Sequence, residues 1–172
     1  GRERVLCLSE ADGQIVWQHE YDCAYTVSYS SGPRVTPTVH AGKVYTLGTE
    51  GDLLCLDAER GVVIWSRDFQ KDFNLKTPLW GFAGHPLIDG KKLICLVGGE
   101  GTVAVAFDKD TGKELWHALS AKEPGYAPPM IFEFAGKRQL IIWHPEAVNA
   151  LDPETGKVFW SYPLMPSVRS GM

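Results

Sequence analysis

Apolar residues in this chain come in short runs cut by glycine, and no stretch keeps a helical period. Leu53-Leu54-Cys55-Leu56 is followed, after a polar link and Gly61, by Val62-Val63-Ile64-Trp65. Lys92-Leu-Ile-Cys-Leu-Val97 runs into Gly98-Gly-Glu-Gly101, and Lys43-Val-Tyr-Thr-Leu47 into Gly48-Thr-Glu-Gly51. Short β-branched and aromatic runs bounded by turn residues predict strands joined as hairpins. A strand led by proline precedes each of these runs: Pro37-Thr-Val-His, Pro86-Leu-Ile-Asp and Pro129-Met-Ile-Phe.

The same hairpin returns four times. It reads Cys7-Leu-Ser-Glu-Ala-Asp-Gly-Gln-Ile-Val-Trp17, Cys55-Leu-Asp-Ala-Glu-Arg-Gly-Val-Val-Ile-Trp65, Ala106-Phe-Asp-Lys-Asp-Thr-Gly-Lys-Glu-Leu-Trp116 and Ala150-Leu-Asp-Pro-Glu-Thr-Gly-Lys-Val-Phe-Trp160. The tryptophans lie 48, 51 and 44 positions apart. Repetition at that period, built from four short antiparallel strands per unit, predicts an all-β fold: a partial β-propeller of about three and a half four-stranded blades. Asp57, Asp108 and Asp152 then form turns, their carboxylates bonding backbone N–H groups two residues on, and Gly61, Gly112 and Gly156 take φ > 0 in those turns. Trp17, Trp65, Trp116 and Trp160 fill the wedge to the neighbouring blade, each indole N–H seeking a carbonyl in the adjacent turn. The blades are expected at 33–69, 78–120 and 124–164 within a single domain spanning 1–172. Residues 1–22 would close a truncated blade and 165–172 would open the next.

The repeated segment resembles the tryptophan-docking motif of the pyrroloquinoline-quinone (PQQ) repeat family, Ala-x-Asp-x-x-Thr-Gly-x-x-x-Trp. Copies 106–116 and 150–160 match every fixed position, copy 55–65 has Cys55 and Arg60, and copy 7–17 has Ser9 and Asp12. That family includes quinoprotein alcohol dehydrogenases and BamB-like assembly lipoproteins, usually with seven or eight blades. The resemblance implies either a fragment of a larger ring or a pairing of two chains. It implies a periplasmic or other extracytoplasmic address. It does not choose between catalysis and binding, because function is carried by sites and not by the scaffold.

Composition narrows the partners. The 172 residues carry a net charge of −4 without a basic stripe, which excludes a nucleic-acid footprint. No apolar run reaches the length of a spanning helix, and no signal peptide is visible. Of four cysteines, Cys7 and Cys55 occupy the small motif position and Cys95 an apolar strand, so they read as buried. Cys23 lies between blades and is the exception.

Chemistry is expected where the repeat breaks, on links entering the proline-led strands near the central channel. Those links carry Tyr25, Tyr29 and Arg34, then Trp80 and His85, then Tyr126; His144 replaces a turn glycine. Aromatic walls with a few polar groups suit a small polar ligand or a peptide; the competing reading is that they pack and plug the channel. A quinone enzyme of the resembled family would need PQQ, calcium held by carboxylate and Asn, and often a vicinal disulfide. Here there is no Cys-Cys pair, and Asn74 and Asn149 are the only asparagines. No His-x-His or His-Glu-x-x-His spacing suggests a metal. The expectation is therefore a non-catalytic recognition scaffold with no cofactor or metal of its own, possible self-association, and as alternative a fragment of a PQQ-dependent alcohol dehydrogenase.

Overall fold

A computed structural model describes residues 1–27 and 32–164. Tyr29 and the 165–172 segment lie outside the described residues. The strands are β1 (Arg2–Leu8), β2 (Ile15–Asp22), β3 (Thr38–His40), β4 (Lys43–Leu47), β5 (Asp52–Asp57), β6 (Val63–Asp68), β7 (Leu87–Asp89), β8 (Lys92–Leu96), β9 (Ala104–Asp108), β10 (Glu114–Ala118), β11 (Met130–Phe134), β12 (Lys137–His144), β13 (Ala147–Leu151) and β14 (Val158–Pro163). They form one two-stranded sheet, β1-β2, and three four-stranded meanders, β3-β4-β5-β6, β7-β8-β9-β10 and β11-β12-β13-β14. Every pairing is antiparallel. This is the partial propeller the repeats predict. One element differs from the all-strand expectation: a single helical turn, α1 (Phe69–Asp72), capped by Asp68, whose carboxylate accepts the Lys71 N–H.

The four repeated turns share one backbone. In each, the N–H of the glycine returns to the carbonyl of the residue four before it, as Gly13 to Ser9, Gly61 to Asp57, Gly112 to Asp108 and Gly156 to Asp152. The glycine φ values are +71°, +68°, +70° and +72°. Register then slips at the same place: Cys7 faces Trp17 but Leu8 faces Ile15, and Cys55, Ala106 and Ala150 face Trp65, Trp116 and Trp160 beside the same slip. The bulge explains the small residue at the head of the motif, because the indole lies directly across from it on one sheet face.

Sheets stack face to face in chain order. Tyr45, Leu47, Leu53 and Cys55 of the second sheet close on Leu93, Cys95, Val105 and Phe107 of the third. The opposite face of the third, Ile94, Leu96, Ala104 and Ala106 with Trp116, closes on Leu140, Ile142 and Leu151 of the fourth. The seam from first to second is thinner: Val44, Leu54 and Leu56 with Trp17 and Tyr21.

The tryptophans sit on the next turn's glycine. A Cβ built on Gly61 would lie 2.4 Å from the Trp17 ring, on Gly112 2.7 Å from Trp65, and on Gly156 2.6 Å from Trp116. Trp17 Nε1 donates to Ala58 O at 2.9 Å and Trp65 Nε1 to Lys109 O at 3.0 Å. Two expectations need correction. Trp116 Nε1 is buried without a hydrogen-bond partner. Trp160 donates to its own sheet's Gln139 Oε1 at 3.0 Å rather than to a neighbouring turn, because no sheet covers it among the described residues. Burial is also graded, with Trp116 buried and Trp17 and Trp65 half-buried. Among the cysteines, Cys55 and Cys95 are buried, Cys7 is partly exposed, and Cys23, set apart in the sequence, is buried too.

Candidate functional site on the links between sheets

The links that enter β3, β7 and β11 meet one another. Arg34 Nη1 donates to the Trp80 carbonyl, and the Trp80 N–H donates to Tyr126 Oη at 3.2 Å. Three sheets are thus tied through one backbone unit. The Trp80 indole is half-buried and Leu79 beside it is exposed. Burial raises the Tyr126 hydroxyl above its ordinary range, against the opposing pull of the Trp80 N–H and Arg34. Gly81 makes the crossing possible: at φ +79° its Cβ position lies 2.5 Å from Thr49 Cγ2, so any side chain would strike the preceding turn. Phe82 N–H then bonds Thr49 O at 2.9 Å.

The other predicted residues disperse. Tyr25 turns to the buried carboxylate of Glu3, donating at 2.9 Å, as Tyr21 does at 2.5 Å and Thr49 N–H at 3.1 Å. His85 is half-buried, its Nδ1 without a partner. His144 is buried, accepts the Glu146 N–H at Nδ1 (3.3 Å), and has its pKa lowered by desolvation, with Glu146 pulling the other way.

Two buried glutamates escaped the sequence reading. Glu3 is only 2% exposed. Its place in the alternating series Glu3, Val5, Cys7 marks the inward face and could have found it. Glu50 accepts from Thr26 N (2.6 Å), Thr26 Oγ1 (2.9 Å), Gln70 Nε2 (3.4 Å) and Thr77 Oγ1. Glu146 takes the Lys122 N–H at 2.9 Å in the same way, again from 24 residues upstream. These carboxylates fasten links and are filled by their own neighbours.

Clefts open elsewhere. One of about 440 Å³ between the first two sheets is lined by Tyr21, Asp22, Asp52, Arg67, Asp68 and Lys71 among others. Burial and the charges of Asp68 and Glu3 raise the Asp52 carboxyl there. Among the described residues no three His, Cys, Asp or Glu side chains stand close enough to hold a metal ion. Nor is any helix long and apolar enough to cross a membrane.

The stacked meanders and docked tryptophans define a PQQ-like-repeat propeller, and comparison with known proteins agrees. The family model described as outer membrane protein assembly factor BamB matches residues 1–172, and the chain belongs to that family. Quinohemoprotein alcohol dehydrogenase ADH IIB of Pseudomonas putida is 29% identical over 167 residues, covering 91% of this chain and 21% of the relative. The chain thus spans about a fifth of the length of that curated relative. Two solved structures share the fold. BamB from Moraxella catarrhalis superposes with a TM-score of 0.58 at 21% identity, over 88% of this chain and 41% of that one. Quinohemoprotein alcohol dehydrogenase from Comamonas testosteroni superposes with 0.64 at 20% identity, over 95% and 32%.

Proposed function

We propose that the chain is a non-catalytic recognition module of a PQQ-like-repeat propeller, binding a protein, a peptide or a small polar ligand on the channel face. The observation that carries this is the meeting of Arg34, Trp80 and Tyr126, in which a guanidinium and a phenol both bond the backbone of a half-buried tryptophan. Such a set suits an apolar or aromatic side chain flanked by a carboxylate or carbonyl. The family likeness to BamB goes with a protein partner and an extracytoplasmic address.

A second reading, a segment of a quinohemoprotein alcohol dehydrogenase, is favoured by the relative at 29% identity. The cofactors would then be PQQ and calcium. The described residues do not fit that pair: Asn149 is bonded to Ile142 O and Ser161 Oγ, and no carboxylate cluster accompanies Trp80 among the described residues. No step is routed through them.

A random-peptide display library panned against the chain separates the readings. Peptides whose binding is lost in Trp80→Ala, with the melting temperature unchanged, support the module. Selection of no such peptide, together with dye-linked alcohol oxidation after addition of PQQ and calcium, would reject it in favour of the enzyme reading.

A further inference from the structure

Glu50, Glu100 and Glu146 stand at equivalent turns, between the second and third strands of their sheets. Glu100 is exposed, and Glu146 takes the N–H of Lys122. Glu50 differs from both. It is buried, and it takes donors from two links at once. Oε1 accepts the Thr26 N–H at 2.6 Å; Oε2 accepts Thr26 Oγ1 at 2.9 Å together with Thr77 Oγ1. Thr26 lies on the link entering the second sheet and Thr77 on the link leaving it, so the two links meet on one oxygen. Gln70, also on the second link, donates from Nε2 to Glu50 O at 2.9 Å. A buried carboxylate has to be filled, so neither hydroxyl can leave it without cost.

The second link departs from the pattern of the other two. Thr26 and Lys122 each bond the glutamate 24 residues ahead, in the sheet that their link enters. The same offset would send Lys76 to Glu100. Thr77 instead turns back to Glu50, in the sheet that the link has left. Phe82 N–H turns back as well, to Thr49 O at 2.9 Å, and Phe69 N–H bonds Gly51 O at 3.0 Å. Trp80 therefore lies between two attachments, Thr77 and Phe82, to a single turn. Arg34, whose guanidinium bonds the Trp80 carbonyl, lies downstream of Thr26 on the link that the same turn fastens.

We propose that Glu50 is a positioning residue for the recognition site: by holding Thr26 and Thr77 on one carboxylate it sets the Arg34 link against the Trp80 link. This rests on the reading of Arg34, Trp80 and Tyr126 as that site. A site already held in its bound arrangement loses less conformational freedom when a ligand arrives, and so binds more tightly.

The test labels the chain with 5-fluorotryptophan and follows the Trp80 fluorine resonance, assigned with Trp80→Phe. With no peptide present, Glu50→Ala and Thr26→Val are each expected to shift or broaden that resonance while those of Trp116 and Trp160 stay. Thr26 is exposed and valine keeps its shape, so this variant folds even where Glu50→Ala does not. Thr26→Val added to Glu50→Ala should shift it no further, because the shared carboxylate is already gone. Glu50→Gln keeps the shape and an acceptor oxygen and is expected to hold the resonance near its original place; Glu100→Ala should leave it unmoved. Peptides selected by panning on the unaltered chain are expected to bind Glu50→Ala about 10-fold more weakly. A Trp80 resonance unmoved in Thr26→Val would overturn the inference, as would an equal shift in Glu100→Ala. A shift in Thr26→Val with no peptide ever selected would uphold the hold of Glu50 on Trp80 and sink the recognition reading instead.

Discussion

At the residue scale the repeated turn joins two requirements in one glycine. Its φ near +70° is strained for any L-residue, by about 1–2 kcal/mol, and at three of the four turns an indole fills the space of a Cβ. Gly13→Ala is therefore expected to cost about 1 kcal/mol. Gly61→Ala, Gly112→Ala and Gly156→Ala add overpacking of about 1–3 kcal/mol; urea midpoints of the four variants check the contrast. The tryptophans are graded likewise. Trp116→Ala is expected to lose about 3–5 kcal/mol, whereas Trp160→Ala, half exposed, loses about 1 kcal/mol or less in the dilute chain. Trp65→Phe forfeits the bond to Lys109 O, worth about 1 kcal/mol, and Trp116→Phe has no such bond to lose. His144 supplies a pH dependence. Its folded pKa lies below the ordinary value, so the unfolded chain binds the proton first. Its contribution is intact above about pH 6.5 and is lost as pH falls through the lower folded value. Protonation at Nδ1 would also remove the acceptor for Glu146 N–H. The melting temperature of His144→Asn should fall less between pH 7 and pH 5 than that of the unaltered chain.

At the scale of elements, carboxylates pin the links. Glu50 holds the segment entering the second sheet and Glu146 the one entering the fourth, while Glu100, at the corresponding turn of the third, is exposed. Glu50→Ala removes the hydrogen bonds that fasten this link, each worth about 0.5–1.5 kcal/mol. Faster hydrogen exchange at the Thr26 amide is expected, with β8 and β9 unchanged; unaltered exchange at Thr26 would mean the link is held by other contacts. The third-sheet strands β8 and β9 serve two cores at once, since Leu93 and Cys95 face the second sheet while Ile94 and Leu96 face the fourth. That double burial explains why their runs are apolar without alternation, which hides the period of two from a pattern search. In β11, by contrast, only Ile131 is partly buried, and the apolar Met130, Phe132 and Phe134 are exposed along with Glu133.

For the whole molecule, the buried clusters of the described residues join neighbouring sheets, so stability is close to a sum of seams. The first-to-second seam buries the fewest side chains. Amides of β1 and β2 are expected to exchange well before those of β8 and β9 in native-state hydrogen exchange; equal protection would mean the sheets unfold as one unit.

The repeat was legible in the sequence because each unit spends the same small set of residues on a local problem. A turn needs glycine, a bulge places the tryptophan, and a small residue must lie beneath it at Cys55 or Ala106. Four-stranded units and the all-β class follow from those local rules alone. What Arg34, Trp80 and Tyr126 do together was decided by the tertiary structure, since each belongs to a different unit separated by 46 residues and only stacking of the sheets brings their links into contact. The same stacking sent Tyr25 to Glu3 and away from that group. Among the described residues it also left Trp160 and Gly13, identical in sequence role to their counterparts, uncovered. A motif encodes the shape of one unit; whether its face is covered depends on what lies next to it.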